Sequence, residues 1–228
     1  MGSKKDAKGG RLNNIKFSDI EVEEIDCMGN DLTVVNAARV SFSKWHDTFQ
    51  AGDTNLIAYL AKNGHWSPFA HPQLSIRVKA PIFLARQLAK HQIGLSWNEV
   101  SRRFIDFEPE FYDCPLRERP QEGIKQGSGD AILGYMVQPY HDAIKTSLIV
   151  YKQLIRENVA PECARSVLPQ TMMTEWIWTG SLYAFWRVVN QRKHPHAQKE
   201  AQVFAKKLMK ILEELFPVSS LYLKEKND

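Results

Sequence analysis

The sequence predicts a single α+β domain whose mixed or antiparallel central sheet is flanked by helices. Residues 74–79 alternate apolar and polar side chains with period two, which is typical of a strand with one buried face. Other segments space their apolar residues three and four apart, as amphipathic helices do. No internal repeat or second linker divides the 228 residues, so we assign residues 13–228 to one domain and the Lys- and Gly-rich residues 1–12 to a flexible tail.

The first half of the domain is predicted to alternate strands and helices. The Gly29-Asn-Asp31 turn offers Asp31 as the N-cap of one helix, and Asp53 opens a second. Pro81 starts a third helix at its first turn, where a missing N–H group is tolerated, and this helix ends near Gly94. The predicted elements are a strand over 20–25, helices over 32–40 and 53–62, a strand over 74–79 and a helix over 81–94.

The second half is predicted to be mainly helical. Residues 114–129 are rich in Pro, Gly and charge, and we expect an exposed loop or insertion with little catalytic content. Pro139 begins a long amphipathic helix that runs to about Asn158, and Pro217 closes the last helix. The remaining predicted elements are a short helix over 161–167, a strand over 172–178 and helices over 181–192 and 197–215.

Composition and charge exclude several classes of protein. The chain is 43% hydrophobic and 25% charged, and its net charge of +4 comes from cations spread along the sequence, so we expect no nucleic-acid partner. No apolar run reaches the length of a membrane span and no signal peptide is recognisable, so we expect no membrane association. The three cysteines lie far apart in the sequence, which favours a reducing cytoplasm over a disulfide framework.

Residues 86–104 carry four cations, a histidine, a carboxylate and several hydroxyl and amide groups between apolar segments. Charge-assisted hydrogen bonds are worth roughly 1.5–3 kcal/mol each, so three or four of them could hold a nucleotide phosphate. The side chains suited to a phosphate are those of Lys90, Ser101, Arg102 and Arg103. Those suited to a base or a sugar hydroxyl belong to Gln87, Asn98 and Glu99. In the alternative interpretation, these charges complement a helix end and pair on the surface.

Together, separated segments of the chain resemble the flavin-dependent thymidylate synthases, in order and from about residue 20 to 215. Arg165 lies in one of these segments, on a short apolar helix, and Arg192 lies at a helix junction just before another. The matching segments, besides residues 86–104, are Met28-Gly-Asn-Asp-Leu, Ala37-Ala-Arg-Val-Ser-Phe42, Gly64-His-Trp-Ser-Pro-Phe-Ala-His71, Val78-Lys-Ala-Pro-Ile-Phe-Leu-Ala-Arg-Gln87, Ala164-Arg-Ser-Val-Leu-Pro169 and His196-Ala-Gln198.

The resemblance implies reductive methylation of dUMP to dTMP, with methylenetetrahydrofolate as carbon donor, FAD as cofactor and NADPH as reductant. It also implies a homotetramer whose active sites lie where subunits meet. Carried over by position, the dUMP contacts are Gln87, Lys90, Glu99, Ser101, Arg102, Arg103, Arg165 and Arg192. The FAD contacts are Ser41, His65, Ser67, Lys90, His91, Gln92, Glu99, Ser181, Tyr183 and Arg187.

Arg192 holds the place of the family's activating arginine. A guanidinium group stays protonated, so Arg192 cannot be a general base and can only stabilise negative charge that develops on the uracil ring. The signature itself departs from the family: Lys90-His91-Gln92 and eight residues before Ser101 replace Arg-His-Arg and seven. At the later positions Ser181, Tyr183 and Arg187 replace an Asn, an Arg and an Asn.

Three alternatives remain at this point. The altered signature fits a nucleotide-binding module of the same fold that has lost its flavin chemistry. A metal enzyme using His194, His196, His65 or His71 is less favoured, because no carboxylate stands at helical spacing and we predict no metal site. Nucleic-acid binding would draw on the tryptophans, which are more simply explained as core or pocket walls.

Overall fold

A computed structural model describes residues 15–120, 127–130 and 132–224, so the predicted tail over 1–12 lies outside the described residues. Its four strands form one antiparallel sheet in the order β1-β2-β4-β3. In the two central strands, alternate residues such as Ile76, Val78, Trp176 and Trp178 are fully buried. The sheet and its helices confirm the predicted fold class. The strands are β1 (Glu21–Met28), β2 (Gln73–Pro81), β3 (Leu95–Glu99) and β4 (Met173–Ser181).

Helices cover the sheet and build two hydrophobic clusters. The larger cluster joins the sheet to the helices that carry Trp186 and Phe204, and the smaller one surrounds Phe111 and Tyr151. Short 3₁₀ turns follow the first and fifth helices, at Val40–Phe42 and Arg165–Val167. The α-helices are α1 (Asp31–Arg39), α2 (Ala51–Lys62), α3 (Ile82–Leu88), α4 (Val137–Arg156), α5 (Pro161–Ala164), α6 (Leu182–Arg192), α7 (Lys199–Leu215) and α8 (Pro217–Lys224).

The predicted role of Asp31 is wrong, and α7 ends at Leu215 before Pro217 as predicted but is not the last helix. Asn30 caps α1, its side-chain oxygen accepting from the amides of Leu32 and Thr33. The Asp31 carboxylate instead accepts from the amides of Val218 and Ser219 at 2.8 and 2.9 Å. It therefore caps a helix that begins at Pro217, where the sequence predicted only a stop, because a carboxylate stabilises the positive end of a helix.

The third helix ends earlier than predicted. α3 stops at Leu88, and the chain turns through residues 89–94, where Gly94 has a φ of +74° that favours glycine. The polar stretch beyond it forms β3, which we had not expected to be a strand. β3 lies at the sheet edge and pairs only with β4, so its polar side chains can face solvent.

The segment 114–129 is anchored at both described ends. The Arg117 guanidinium donates to the Ser128 hydroxyl at 2.7 Å and to the buried carboxylate of Glu200 at 2.6 Å. These contacts tie the segment to the first turn of α7, so it is not simply an exposed loop. Among the helices in the described ranges, none combines the length and apolar character that crossing a membrane requires.

Candidate active site

The turn 89–94 lies against one face of α6. Ala184, Arg187, Val188, Gln191 and Arg192 recur every three or four residues, so their side chains share that face. Together with Lys90, His91 and Gln92 they line a cavity of about 190 Å³, which we call the His91 cavity. In the described part of the chain no Asp or Glu lines it, so its fixed charges are all positive.

Arg192 and His91 form a direct hydrogen bond across this cavity. The Nε–H of Arg192 donates to Nε2 of His91 at 2.9 Å. Burial, followed by the charges of Arg192 and Arg187, lowers the pKa of His91 to about 4. Burial also lowers the pKa of Arg192 from its usual value. The imidazole is therefore neutral near pH 7, and its Nε2 lone pair accepts the hydrogen bond.

The neighbouring face of α6 lines a second cavity of about 250 Å³, here the Tyr183 cavity. Tyr183, Trp186 and Asn190 follow one another at helical spacing and face Gly64 and His65, and the rings of Trp66 and Tyr183 lie 5.9 Å apart. The side-chain oxygen of Asn190 is buried and accepts no hydrogen bond among the described residues. Arg187 and Gln191 stand at the boundary and line both the His91 and the Tyr183 cavity.

A third cavity of about 750 Å³ opens beyond Arg192 and is here called the Arg192 cavity. Arg192 lines both this cavity and the His91 cavity. Gln87 on α3 and His196 line the Arg192 cavity only. The side-chain oxygen of Gln87 is buried without a partner in the described ranges, so an acceptor remains available beside this cavity. Gly127, from the segment predicted to lack catalytic content, also lines its wall.

The far end of β3 leads to a fourth cavity of about 330 Å³, here the Glu99 cavity. It brings together three predicted dUMP contacts: Glu99, Arg102 and Arg165. Glu99 is held by two donors, the Thr174 hydroxyl at 2.7 Å and the Trp97 indole at 3.2 Å. Since β3 rises about 3.3 Å per residue, its four steps separate this cavity from the turn 89–94 by roughly 13 Å.

Arg102 is more deeply buried than an arginine that contacts a phosphate at the protein surface. It is 7% exposed, it lies over the rings of Phe107 and Tyr151, and one of its terminal nitrogens donates to the Phe107 carbonyl at 2.8 Å. Its neighbour Arg103 is exposed and lies 3.7 Å from Glu162. Arg102 therefore orders the chain after β3, while its contact with dUMP stays a prediction.

Several other predicted contacts do not line any of these four cavities. The hydroxyl of Ser181 is buried and accepts from the Ala184 amide at 3.2 Å, which makes it the N-cap of α6. The five predicted contacts outside these cavities keep their ligand roles as predictions. The residues concerned are Ser41, Ser67, Ser101, Arg103 and Ser181.

Sequence reasoning missed residues that act through tertiary contacts. Thr174 meets Glu99 across 75 positions of sequence, and Asn190 and Gln191 reach the cavities only because α6 presents two faces. The one local signal was a threonine in phase with Trp176 and Trp178 on the strand β4. Within the described ranges, no three His, Cys, Asp or Glu side chains are grouped closely enough to hold a metal ion.

The protein belongs to the α+β class, and cavities that contain arginine side chains lie at both ends of its edge strand β3. The crystal structure of the UMP/dUMP methylase PolB from Streptomyces cacaoi, bound with 5-Br dUMP, superposes on the fold with a TM-score of 0.84. It shares 29% identity, over 93% of this chain and 97% of that one. A second structure of that protein, bound with 5-Br UMP, has a TM-score of 0.83.

Sequence comparison narrows the class to a family. The family model described as thymidylate synthase complementing protein matches residues 25–218. The flavin-dependent thymidylate synthase of Thermosipho africanus is 38% identical over 198 residues, which cover 85% of this chain and 86% of the relative. That of Thermotoga neapolitana is 37% identical over 196 residues, 86% of this chain and 87% of the relative. The chain belongs to the family of flavin-dependent thymidylate synthases.

Proposed function

We propose that this protein converts dUMP to dTMP by reductive methylation, with methylenetetrahydrofolate as carbon donor and NADPH as reductant. The observation that carries the proposal is the position of Arg192, at the family's activating arginine and at the junction of two cavities. Family membership and the ligands of the PolB structures support dUMP as substrate.

Arg192 supplies the electrostatic part of the reaction. Its guanidinium remains a cation, and the buried acceptor of Gln87 lies beside the same cavity. A uracil ring placed there would have its developing negative charge stabilised by Arg192, which makes the pyrimidine carbon nucleophilic without an enzyme thiol. On the other side of the site, Glu99 and Arg165 would orient the nucleotide from the Glu99 cavity.

The residues around α6 fit FAD. Cations without competing carboxylates would stabilise its diphosphate, and Lys90 and Arg187 provide them in the His91 cavity. Its adenine requires aromatic walls and a hydrogen-bond acceptor, which Tyr183, Trp66 and the unpartnered oxygen of Asn190 offer in the Tyr183 cavity. Bound FAD would supply the hydride, while these side chains hold and orient it.

We further propose a homotetramer with active sites at subunit contacts. Within one chain, the predicted dUMP contacts divide between the Glu99 cavity and the Arg192 cavity. Large apolar side chains stand exposed on the chain, including Phe42 at 77%, Trp45 at 70% and Phe104 at 78%. A second copy would cover these groups and bring the two half-sites together. Light scattering after size exclusion measures the assembly, which a monomer would contradict.

We place the protein in the cytoplasm. Its three cysteines, Cys27, Cys114 and Cys163, are all free thiols, as a reducing compartment requires. Fractionation of the source cells, with immunodetection of the chain, would test this placement.

The decisive assay follows tritium release from 5-tritiated dUMP with methylenetetrahydrofolate, NADPH and FAD. We expect tritium release that depends on all four, a yellow purified protein, and faster NADPH oxidation when dUMP is present. A colourless chain that binds dUMP and never takes up FAD would instead support the nucleotide-binding module.

Replacing all three cysteines with alanine or serine is expected to leave turnover within about threefold of the wild type. Burial raises the pKa of the Cys114 thiol to about 11, and burial with Glu24 and Asp26 raises that of Cys27, so neither is a ready thiolate. The measurement is tritium release at matched FAD content, with circular dichroism as the folding control. Loss of turnover in a folded, flavin-loaded variant would refute the thiol-independent mechanism.

Thr174→Val is expected to weaken dUMP binding by roughly tenfold, because Glu99 loses a part-buried hydrogen bond to its charged carboxylate that is worth about 1.5 kcal/mol. Valine keeps the shape of threonine but not its hydroxyl, whereas Thr174→Ser keeps the hydroxyl. Isothermal titration calorimetry with dUMP should therefore rank serine close to wild type and valine below it. Equal affinities of the two variants would show that the hydroxyl does not orient Glu99.

A further inference from the structure

The hydrogen bond between Arg192 and His91 uses only part of the guanidinium. Arginine carries five N–H donors in one plane, and the bond to His91 occupies the one on Nε. An anchored Nε–H fixes the plane and leaves the two terminal nitrogens free to bind a ligand. Arg192 lines the Arg192 cavity together with Gln87, whose side-chain oxygen has no partner among the described residues.

His91 accepts this bond only while its ring is neutral. Lys90 comes from its own turn and Arg187 and Arg192 from α6, while β3 contributes only Leu95 to the same cavity. Burial, followed by the charges of Arg192 and Arg187, disfavours a further positive charge on the His91 ring. The neutral ring has one hydrogen-bond donor, Nδ1–H, and this donor is available to a second partner such as the cofactor.

We propose that His91 is the positioning residue of Arg192: its neutral imidazole holds Nε–H and thereby directs the two terminal nitrogens of Arg192 toward the substrate. This role rests on the proposed function, which supplies the substrate. It adds to that function an account of how the guanidinium of Arg192 is oriented. The contact itself is independent of turnover, so the two can be tested separately.

The first test reads the contact by nitrogen-15 NMR of the protein labelled at histidine, with His91→Gln to assign the signal. We expect the Nδ1–H tautomer and a titration midpoint near 4. Arg192→Met should raise the titration midpoint of His91 and abolish its preference for the Nδ1–H tautomer. The matched variant Arg187→Met should raise the midpoint but keep the Nδ1–H tautomer. An Nε2–H tautomer in the wild type, or identical spectra in the two arginine variants, would overturn the proposal.

The second test separates positioning from cofactor binding. At saturating FAD, His91→Leu should lower kcat for dTMP formation by roughly 10- to 100-fold, since a hydrogen bond to a charged group is lost. KM for dUMP and NADPH-driven flavin reduction should change far less. His91→Gln, whose side-chain oxygen can still accept from Arg192, should recover most of the rate. A deficit that disappears at saturating FAD, or equal losses in both variants, would overturn the positioning role.

The two arms also distinguish failure of this inference from failure of the proposed function. A wild-type protein with the Nδ1–H tautomer and the low midpoint, but no tritium release, would refute thymidylate synthesis and leave the Arg192–His91 pairing supported. Full turnover with the opposite tautomer would refute the pairing alone.

Discussion

Arg192→Ala is expected to lower tritium release from dUMP by roughly 10²–10³-fold, which is the loss typical of removing one preorganised charge-stabilising donor. The alanine removes a cation that lines both the His91 and the Arg192 cavity. FAD should remain bound, because Lys90 and Arg187 still line the His91 cavity. The measurement is single-turnover dTMP formation with flavin absorbance recorded on the same sample.

Two companion variants sharpen the result. Arg192→Lys keeps the positive charge but loses the planar fork, so it should also fall well below wild type. Arg156→Ala removes an exposed arginine in the last turn of α4 and should leave turnover unchanged. Wild-type kcat in folded, flavin-loaded Arg192→Ala would contradict the assigned role.

Asp53→Asn is expected to lower the free energy of unfolding by about 3 kcal/mol, the scale found when one partner of a buried ion pair is removed. The Asp53 side chain is 0% exposed. It accepts from Arg39 at 2.7 Å, from the Gln50 amide at 2.9 Å and from His46 at 3.2 Å. These contacts hold the segment between α1 and α2, which includes Ser41, so weaker FAD binding should accompany the loss of stability.

The pH dependence of stability follows from the same contacts. Burial alone would raise the pKa of Asp53, but the hydrogen bonds from Arg39, Gln50 and His46 outweigh it and lower the pKa below 3.8. A carboxyl group with a depressed folded-state pKa stabilises the protein above its unfolded-state value and loses that contribution as pH falls through the folded-state value. Urea unfolding at pH 7 and at a series of lower pH values measures this contribution to the free energy of unfolding.

Asp47→Asn is the matched control, because Asp47 is exposed on the same segment. This substitution should change the free energy of unfolding at pH 7 by less than about 0.5 kcal/mol. Equal unfolding midpoints for the Asp53 and Asp47 variants would show that the buried network contributes nothing.

Periodicity correctly predicted those elements in which the apolar residues of the sequence lie on the face that the fold buries. β2, α6 and α7 came out close to their predicted limits because alternation and helical spacing reflect which face is buried. β3 was not predicted, because only two apolar residues, Leu95 and Trp97, alternate with polar ones in it, and so short a pattern does not indicate a strand by itself. The capping roles of Asn30 and Asp31 could not be separated either, because Asp31 is used by a helix 187 residues away.

The sequence by itself determined the fold class, the family resemblance and the kinds of residue that carry the chemistry, since ordered motifs and periodicity are local properties of the chain. Only the tertiary structure decided which of those residues meet. The pairing of His91 with Arg192 joins residues 101 positions apart, and that of Glu99 with Thr174 joins residues 75 apart. Such contacts depend on how β4 pairs with its neighbours and how α6 packs beneath the turn 89–94, and no local pattern encodes that geometry.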